Sequence, residues 1–131
     1  MLFTALFFSC SKDSSSSTTD DGGSNVSVTN TGIKLTAVTA AGVPKQNYIV
    51  MMFDQPVTTT NALPPIKKQV ITDAAGLAYF DLKTLVTSTT PTTYYFEAFV
   101  QTSSGYEMKS IIHPNFSIAK GQVITSSIIV N

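Results

Sequence analysis

Two residues of this 131-residue chain are singular: Cys10 is the only thiol and His113 the only imidazole. Nucleophilic catalysis of the Ser-His-acid kind needs an imidazole to take the hydroxyl proton, so any such centre has to recruit His113. That residue lies in I-I-H-P-N, where Pro114 restricts the residue before it to extended or turn backbone. A surface loop just past a strand is therefore expected for it. Glycoside hydrolysis needs two carboxyl groups held at a fixed separation. Beyond residue 25 the acids are Asp54, Asp73, Asp81, Glu97 and Glu107, and nothing in their spacing pairs any two. Asp73 suits the first position of a turn and Asp81 the start of a loop. Calcium needs clustered oxygen ligands, and no D-x-D-x-D-G run occurs. The expectation is a non-catalytic protein with no metal and no cofactor.

The chemistry of the charges points the same way. The chain holds eight Lys plus Arg against eight Asp plus Glu, and every one of the eight cations is Lys. Without guanidinium forks or an excess of positive charge, no nucleic-acid partner is expected. The elements that would position these residues divide into three stretches. Residues 2–8 are apolar apart from Thr4; residues 11–25 contain no apolar side chain; residues 26–131 are uniformly rich in β-branched and aromatic residues. The middle stretch has no surface to bury against the entropy of ordering, so it reads as a flexible Ser/Thr/Asp/Gly tether of roughly 20 Å end to end. The last stretch is long enough for one core without disulfides.

Within residues 26–131 the apolar pattern has period two, with turn residues at short intervals, which predicts an all-β domain. Strands are expected over 32–39, 47–53, 67–72, 77–82, 93–101, 107–112 and 123–130. At most one helical turn fits, over 81–85, where Leu82 and Leu85 are three apart. The plainest local signal is T-D-A-A-G-L-A-Y-F at 72–80: Asp73 accepts main-chain hydrogen bonds and Gly76 supplies the positive φ that closes a short hairpin.

The N-terminal L-F-F-S-C at 6–10 resembles a bacterial lipobox. The resemblance implies that residues 1–9 are a signal peptide and that the thiol of Cys10 carries diacylglycerol. Membrane attachment through Cys10 follows, at the cell envelope, as an outer membrane lipoprotein. The apolar run is short and no basic residue precedes it, as expected of a signal truncated at its start. It falls well under the ~20 apolar residues of a transmembrane helix. Two or three acyl chains would anchor the protein stably, at about 0.8 kcal/mol per buried methylene. The Cys-Ser-Lys-Asp start, with Asp13, Asp20 and Asp21 behind it, is similar to the tethers of Bacteroidetes surface lipoproteins, which implies export to the outer leaflet. Read from the residues alone, the same charges simply keep the tether solvated.

The order A-G-V-P, Y-I-V-M-M-F-D, T-D-A-A-G-L-A-Y-F-D-L, then Y-Y-F-E-A-F-V is similar to transthyretin-like and carboxypeptidase-regulatory-like domains, over roughly 32–130. The resemblance implies a seven-stranded antiparallel Greek-key β-sandwich related to immunoglobulin domains. It also implies core positions at Val50, Met52, Tyr79 or Phe80, Phe96, Ala98 and Val100. It carries no activity across. Hydroxyisourate hydrolases of that group need several His, an Arg and a C-terminal Tyr-Arg-Gly-Ser, whereas this chain has one His and ends I-I-V-N. Intradiol dioxygenases need a second His.

Two strands are apolar on both faces. Over 93–101, Tyr94, Phe96, Ala98 and Val100 alternate with Tyr95, Glu97, Phe99 and Gln101; over 47–53, Tyr48, Val50 and Met52 alternate with Ile49, Met51 and Phe53. If the outer residues meet, Met51, Phe53, Tyr95 and Phe99 form an exposed aromatic patch of the kind that marks binding surfaces. Otherwise the 55–66 connection, with Leu63, Pro64, Pro65 and Ile66, folds over and buries them. Two functions remain. One is a structural or protein-interaction module, docking an envelope protein through the patch or by strand addition at a sheet edge. The other is a glycan-binding accessory lipoprotein in which Tyr95, Phe99 or Tyr106 stacks on sugar faces.

Overall fold

Alternating β-branched and aromatic residues, broken by Gly, Asp and Pro, produce strands and turns throughout the part of the chain that can be described. The computed structural model describes residues 30–59 and 62–131. The expected signal peptide at 1–9, lipidated Cys10, tether at 10–25 and domain start at residue 26 lie outside the described residues. Among those described there is no helix, and eight strands follow in order: β1 (Gly32–Thr39), β2 (Ile49–Phe53), β3 (Lys68–Ile71), β4 (Leu77–Asp81), β5 (Thr92–Thr102), β6 (Gly105–Met108), β7 (Asn115–Ile118) and β8 (Val123–Val130).

The strands form two sheets. One has the order β4-β1-β8; the other runs β3-β2-β5, with β6 and β7 both on the far side of β5. β6 pairs with the C-terminal half of β5, from Phe99↔Met108 to Thr102↔Gly105, and β7 with its N-terminal half, from Thr92↔Ile118 to Tyr95↔Asn115. Two expectations are corrected. Among the described residues there are eight strands rather than seven, and the set is not wholly antiparallel: β1 and β8 pair parallel, in register from Gly32↔Val123 to Thr39↔Val130. A parallel pair needs a long crossover. All the intervening strands supply it.

Alternation then decides the core. Ile33, Leu35, Ala37, Ala78, Phe80, Ile128 and Val130 of the first sheet share one cluster with Val50, Met52, Tyr94, Phe96, Ala98 and Ile118 of the second. The rings of Phe80 and Phe96 meet edge to face, with centroids 5.2 Å apart. Each such fully buried side chain contributes about 1.5–3 kcal/mol. Phe80, not its neighbour Tyr79, is the inward residue, and Val100 is only half-buried.

Hydrogen bonds fix the turns. Asp73 Oδ1 accepts from the N–H groups of Ala75 and Leu77 at 2.9 and 3.0 Å, and Gly76, at φ 78°, donates its N–H to Asp73 O. A Cβ on Gly76 would lie 2.8 Å from Ala37 O, so the hairpin needs glycine for space as well as for φ. After β4, Leu82 O accepts from both Leu85 and Val86 N–H. This is one helical turn and no more.

The expected strand over 107–112 stops at Met108. Lys109 and Ser110 both donate their N–H to Ala98 O, at 2.7 and 3.3 Å, which is the geometry of a bulge. The chain then steps across to the other sheet, where Ile111 N–H donates to Ile129 O at 2.9 Å and Ser110 bridges to Val130. It returns at Pro114, whose carbonyl accepts from Phe96 N–H at 3.1 Å. β6, the bulge and β7 thus make one interrupted edge that ties the two sheets together.

Candidate functional site

The four residues expected to form a binding patch come together, but not at the surface. Met51, Phe53 and Phe99 are fully buried and Tyr95 is half-buried. With Ile49 they form a second apolar cluster on the outer face of the larger sheet, packed by Val57, Leu63 and Met108. Val57 and Leu63 belong to the 55–66 connection and lie over this face. Its ends are held by an ion pair from Lys67 Nζ to Asp54 Oδ2 at 3.3 Å and by Lys67 N–H donating to Met52 O at 2.8 Å. The exposed-patch reading is therefore corrected: the large apolar area on this face is covered by the chain's own loop. β2 is consequently buried at every position.

Glu97 sits inside this layer. It faces the same side as Tyr95 and Phe99, stands opposite Met51 on β2, and is 3 % exposed. The bulge supplies its partners. Ser110 Oγ donates to Glu97 Oε1 at 2.5 Å and itself accepts from Ala98 N–H at 3.2 Å. His113 Nδ1 lies 2.8 Å from Oε1 and 3.0 Å from Oε2.

Serine, histidine and an acid are thus in contact, yet in the wrong order for nucleophilic catalysis. A triad needs the imidazole between hydroxyl and carboxylate. Here the carboxylate is in the middle, and the hydroxyl is buried. The arrangement is suited to anchoring: one buried carboxylate fastens both ends of the sheet-crossing bulge. The His113 side chain is 58 % exposed, in the loop position expected of it. Ser110 went unforeseen. Its signal was Glu97 itself, a charge at an outward position flanked by Tyr95 and Phe99 that had to find donors.

The other acids among the described residues are engaged in the same local way. Asp81 Oδ1 accepts from Lys83 N–H at 3.2 Å, and Glu107 pairs with Lys109 at 3.2 Å. Among the described residues, no three His, Cys, Asp or Glu lie together as metal ligands. Of the three rings considered for sugar stacking, Phe99 is buried and Tyr95 half-buried, while Tyr106 is exposed with its ring 6.2 Å from that of Phe99. Tyr106 borders a shallow depression with Thr102, Ser104, Glu107 and Met108. The Thr102 and Ser104 hydroxyls there are 3.2 Å apart, and the Glu107 carboxylate has its lysine.

One surface feature does stand open. Gln122 O accepts from Gly32 N–H at 3.0 Å, so even-numbered residues of β8 turn their main chain toward β1. Odd-numbered ones turn away, and Ile129 O and Asn131 N–H on that far side bond to Ile111 and Lys109. By the same alternation Val123, Thr125 and Ser127 present their N–H and C=O groups outward. Among the described residues no strand pairs with them. The strand is eight residues long and its open part, Val123–Ser127, carries neither charge nor proline. The other edge strands, β3, β4, β6 and β7, have four or five residues each, and three of them carry a charge, Lys68, Asp81 and Glu107. No protein-family model matches the chain, and no curated protein matches it significantly.

Proposed function

We propose that this chain is a non-catalytic structural or protein-interaction module, held at the cell envelope by lipid on Cys10, and that it docks by strand addition at the free edge of β8. The two sheets sharing one core support a β-sandwich of transthyretin-like, immunoglobulin-related type as its frame. The observation that carries the docking site is the β8 edge left unpaired among the described residues. Soluble β proteins blunt their edges with charge, proline, bulges or short strands because an open ladder recruits other chains. β8 does none of this over Val123–Ser127, while its neighbours do. The glycan reading has one exposed ring, Tyr106, in a depression whose polar groups are largely paired with each other, and the protein reading is preferred. No helix among the described residues is long and apolar enough to cross a membrane.

The test is photo-crosslinking in intact cells from a reactive residue at Ser127, compared with one at Asp81, followed by membrane fractionation. The expected outcome is a discrete protein adduct from position 127 only, in the membrane fraction, lost to the soluble fraction on Cys10→Ser. Equal adducts from both positions, or a wild-type chain wholly soluble, would overturn the reading.

A further inference from the structure

The residues along the open edge restrict what can lie beside them. Val123, Thr125 and Ser127 point outward from the domain and are exposed; Ile124 and Ser126 point inward and are half-buried, with Ile124 against the core. The stretch ends at Ile129, where the bulge already occupies the ladder through Ile111. We infer that this edge pairs with the same edge of a second copy of the chain, antiparallel about a two-fold axis at Thr125, so that two three-stranded sheets become one continuous sheet.

The size pattern favours a second copy over an unrelated segment. In that register Val123 faces Ser127, Ile124 faces Ser126, and Thr125 faces Thr125 of the other copy. Each large β-branched residue is set against a serine on both faces of the joined sheet. The threonine pair at the axis is a favourable cross-strand pair, and no like charges meet. Three of these pairs have their main-chain groups pointing at each other, and each exchanges two hydrogen bonds, giving about six across the axis. The pairing is isologous: it consumes the β8 edge of each copy and stops at two chains, with the short, charged β4 at either end of the joined sheet. The same strand addition covers Ile124, which is left half-open in the single chain.

One strand pair buries less than the ~1,000 Å² of a stable interface, so association in dilute solution is weak. Anchoring both copies in one membrane raises their effective concentration toward the millimolar range. That step rests on the anchored reading above; the pairing itself does not.

Sedimentation equilibrium of the full chain carrying Cys10→Ser, from micromolar to millimolar, reads the inference directly. The expected result is a monomer–dimer equilibrium with no larger species. Thr125→Lys sets two ammonium groups against each other at the axis and weakens the dimer at least tenfold, as does Thr125→Glu with two carboxylates. An equimolar mixture of the two variants regains the wild-type association, which also shows that both fold. A chain that stays monomeric at millimolar concentration, or a dimer that Thr125→Lys leaves unchanged, overturns the inference. If the chain stays monomeric while position 127 crosslinks to a different protein, the docking function stands and the second copy is not the partner.

Discussion

Glu97 is the only carboxylate buried among the described residues, and its surroundings explain how an acid is tolerated in an apolar layer. A buried carboxylate without donors is costly. Ser110 and His113 supply them from a single bulge, so the cost of burial is offset by fixing six residues of irregular chain, 109–114, to the sheet. The two partners differ in exposure, and their removal should differ accordingly. Glu97→Ala leaves the buried Ser110 hydroxyl without its acceptor and opens a cavity, a loss of about 2–4 kcal/mol. Glu97→Gln keeps the volume and one acceptor oxygen, with an expected loss of about 1 kcal/mol. His113→Ala removes a ring that is mostly in water and should cost less than about 1 kcal/mol. Urea unfolding of the three variants at neutral pH checks the order; a His113→Ala loss as large as that of Glu97→Ala would make the imidazole a structural residue in its own right.

At the scale of elements, the loop over the outer face is the feature that changes the functional reading. Tyr95→Ala or Phe99→Ala tests no binding surface, because Phe99 is core: its truncation should cost about 3–5 kcal/mol. Leu63→Ala acts from the other side. It should cost about 1–2 kcal/mol, since Leu63 is only half-buried, and should raise binding of a fluorescent apolar dye as Met51, Phe53 and Phe99 become reachable. Unchanged dye binding would mean that the loop is held by its ends alone. Period-two alternation made β1 and β8 legible to the residue, because both are long and buried on one face. β7 was not legible: four residues after a proline, with Phe116 and Ile118 alone to show alternation, are too few to distinguish a strand from a loop. The strand expected to reach residue 112 failed for a different reason. Ile111 and Ile112 satisfy a strand pattern, yet the Ile111 N–H serves the other sheet, a long-range choice that local spacing does not encode. Of the candidate site, the sequence showed which residues cluster and offered the 55–66 connection as their cover, but alternation alone did not decide between the exposed and the covered arrangement.

At the scale of the molecule, the parallel pairing of β1 with β8 makes the domain depend on its last strand. β1 is the middle strand of the smaller sheet, with β4 on one side and β8 on the other. Without β8 it has an open edge along its whole length, and the core loses Ile128 and Val130, which are buried beside Ile33, Leu35 and Phe96. The lost burial alone is about 3–6 kcal/mol, comparable to the entire stability of a small domain. The bulge also loses its bonds to Ile129 and Asn131, and with them the tie between the sheets. A chain ending at Gln122 should therefore show no cooperative unfolding transition and no amide protection in β1, whereas the full chain shows a single transition with β1 among its slowest-exchanging amides. Because the closing contact joins the first and last described strands, refolding should also be slow, in the millisecond to second range typical of non-local β topologies. Hydrogen exchange on the truncated and full chains decides the point: protection of β1 in the truncated chain would show that β4 and β1 fold without β8, and the link between completion and folding would fall.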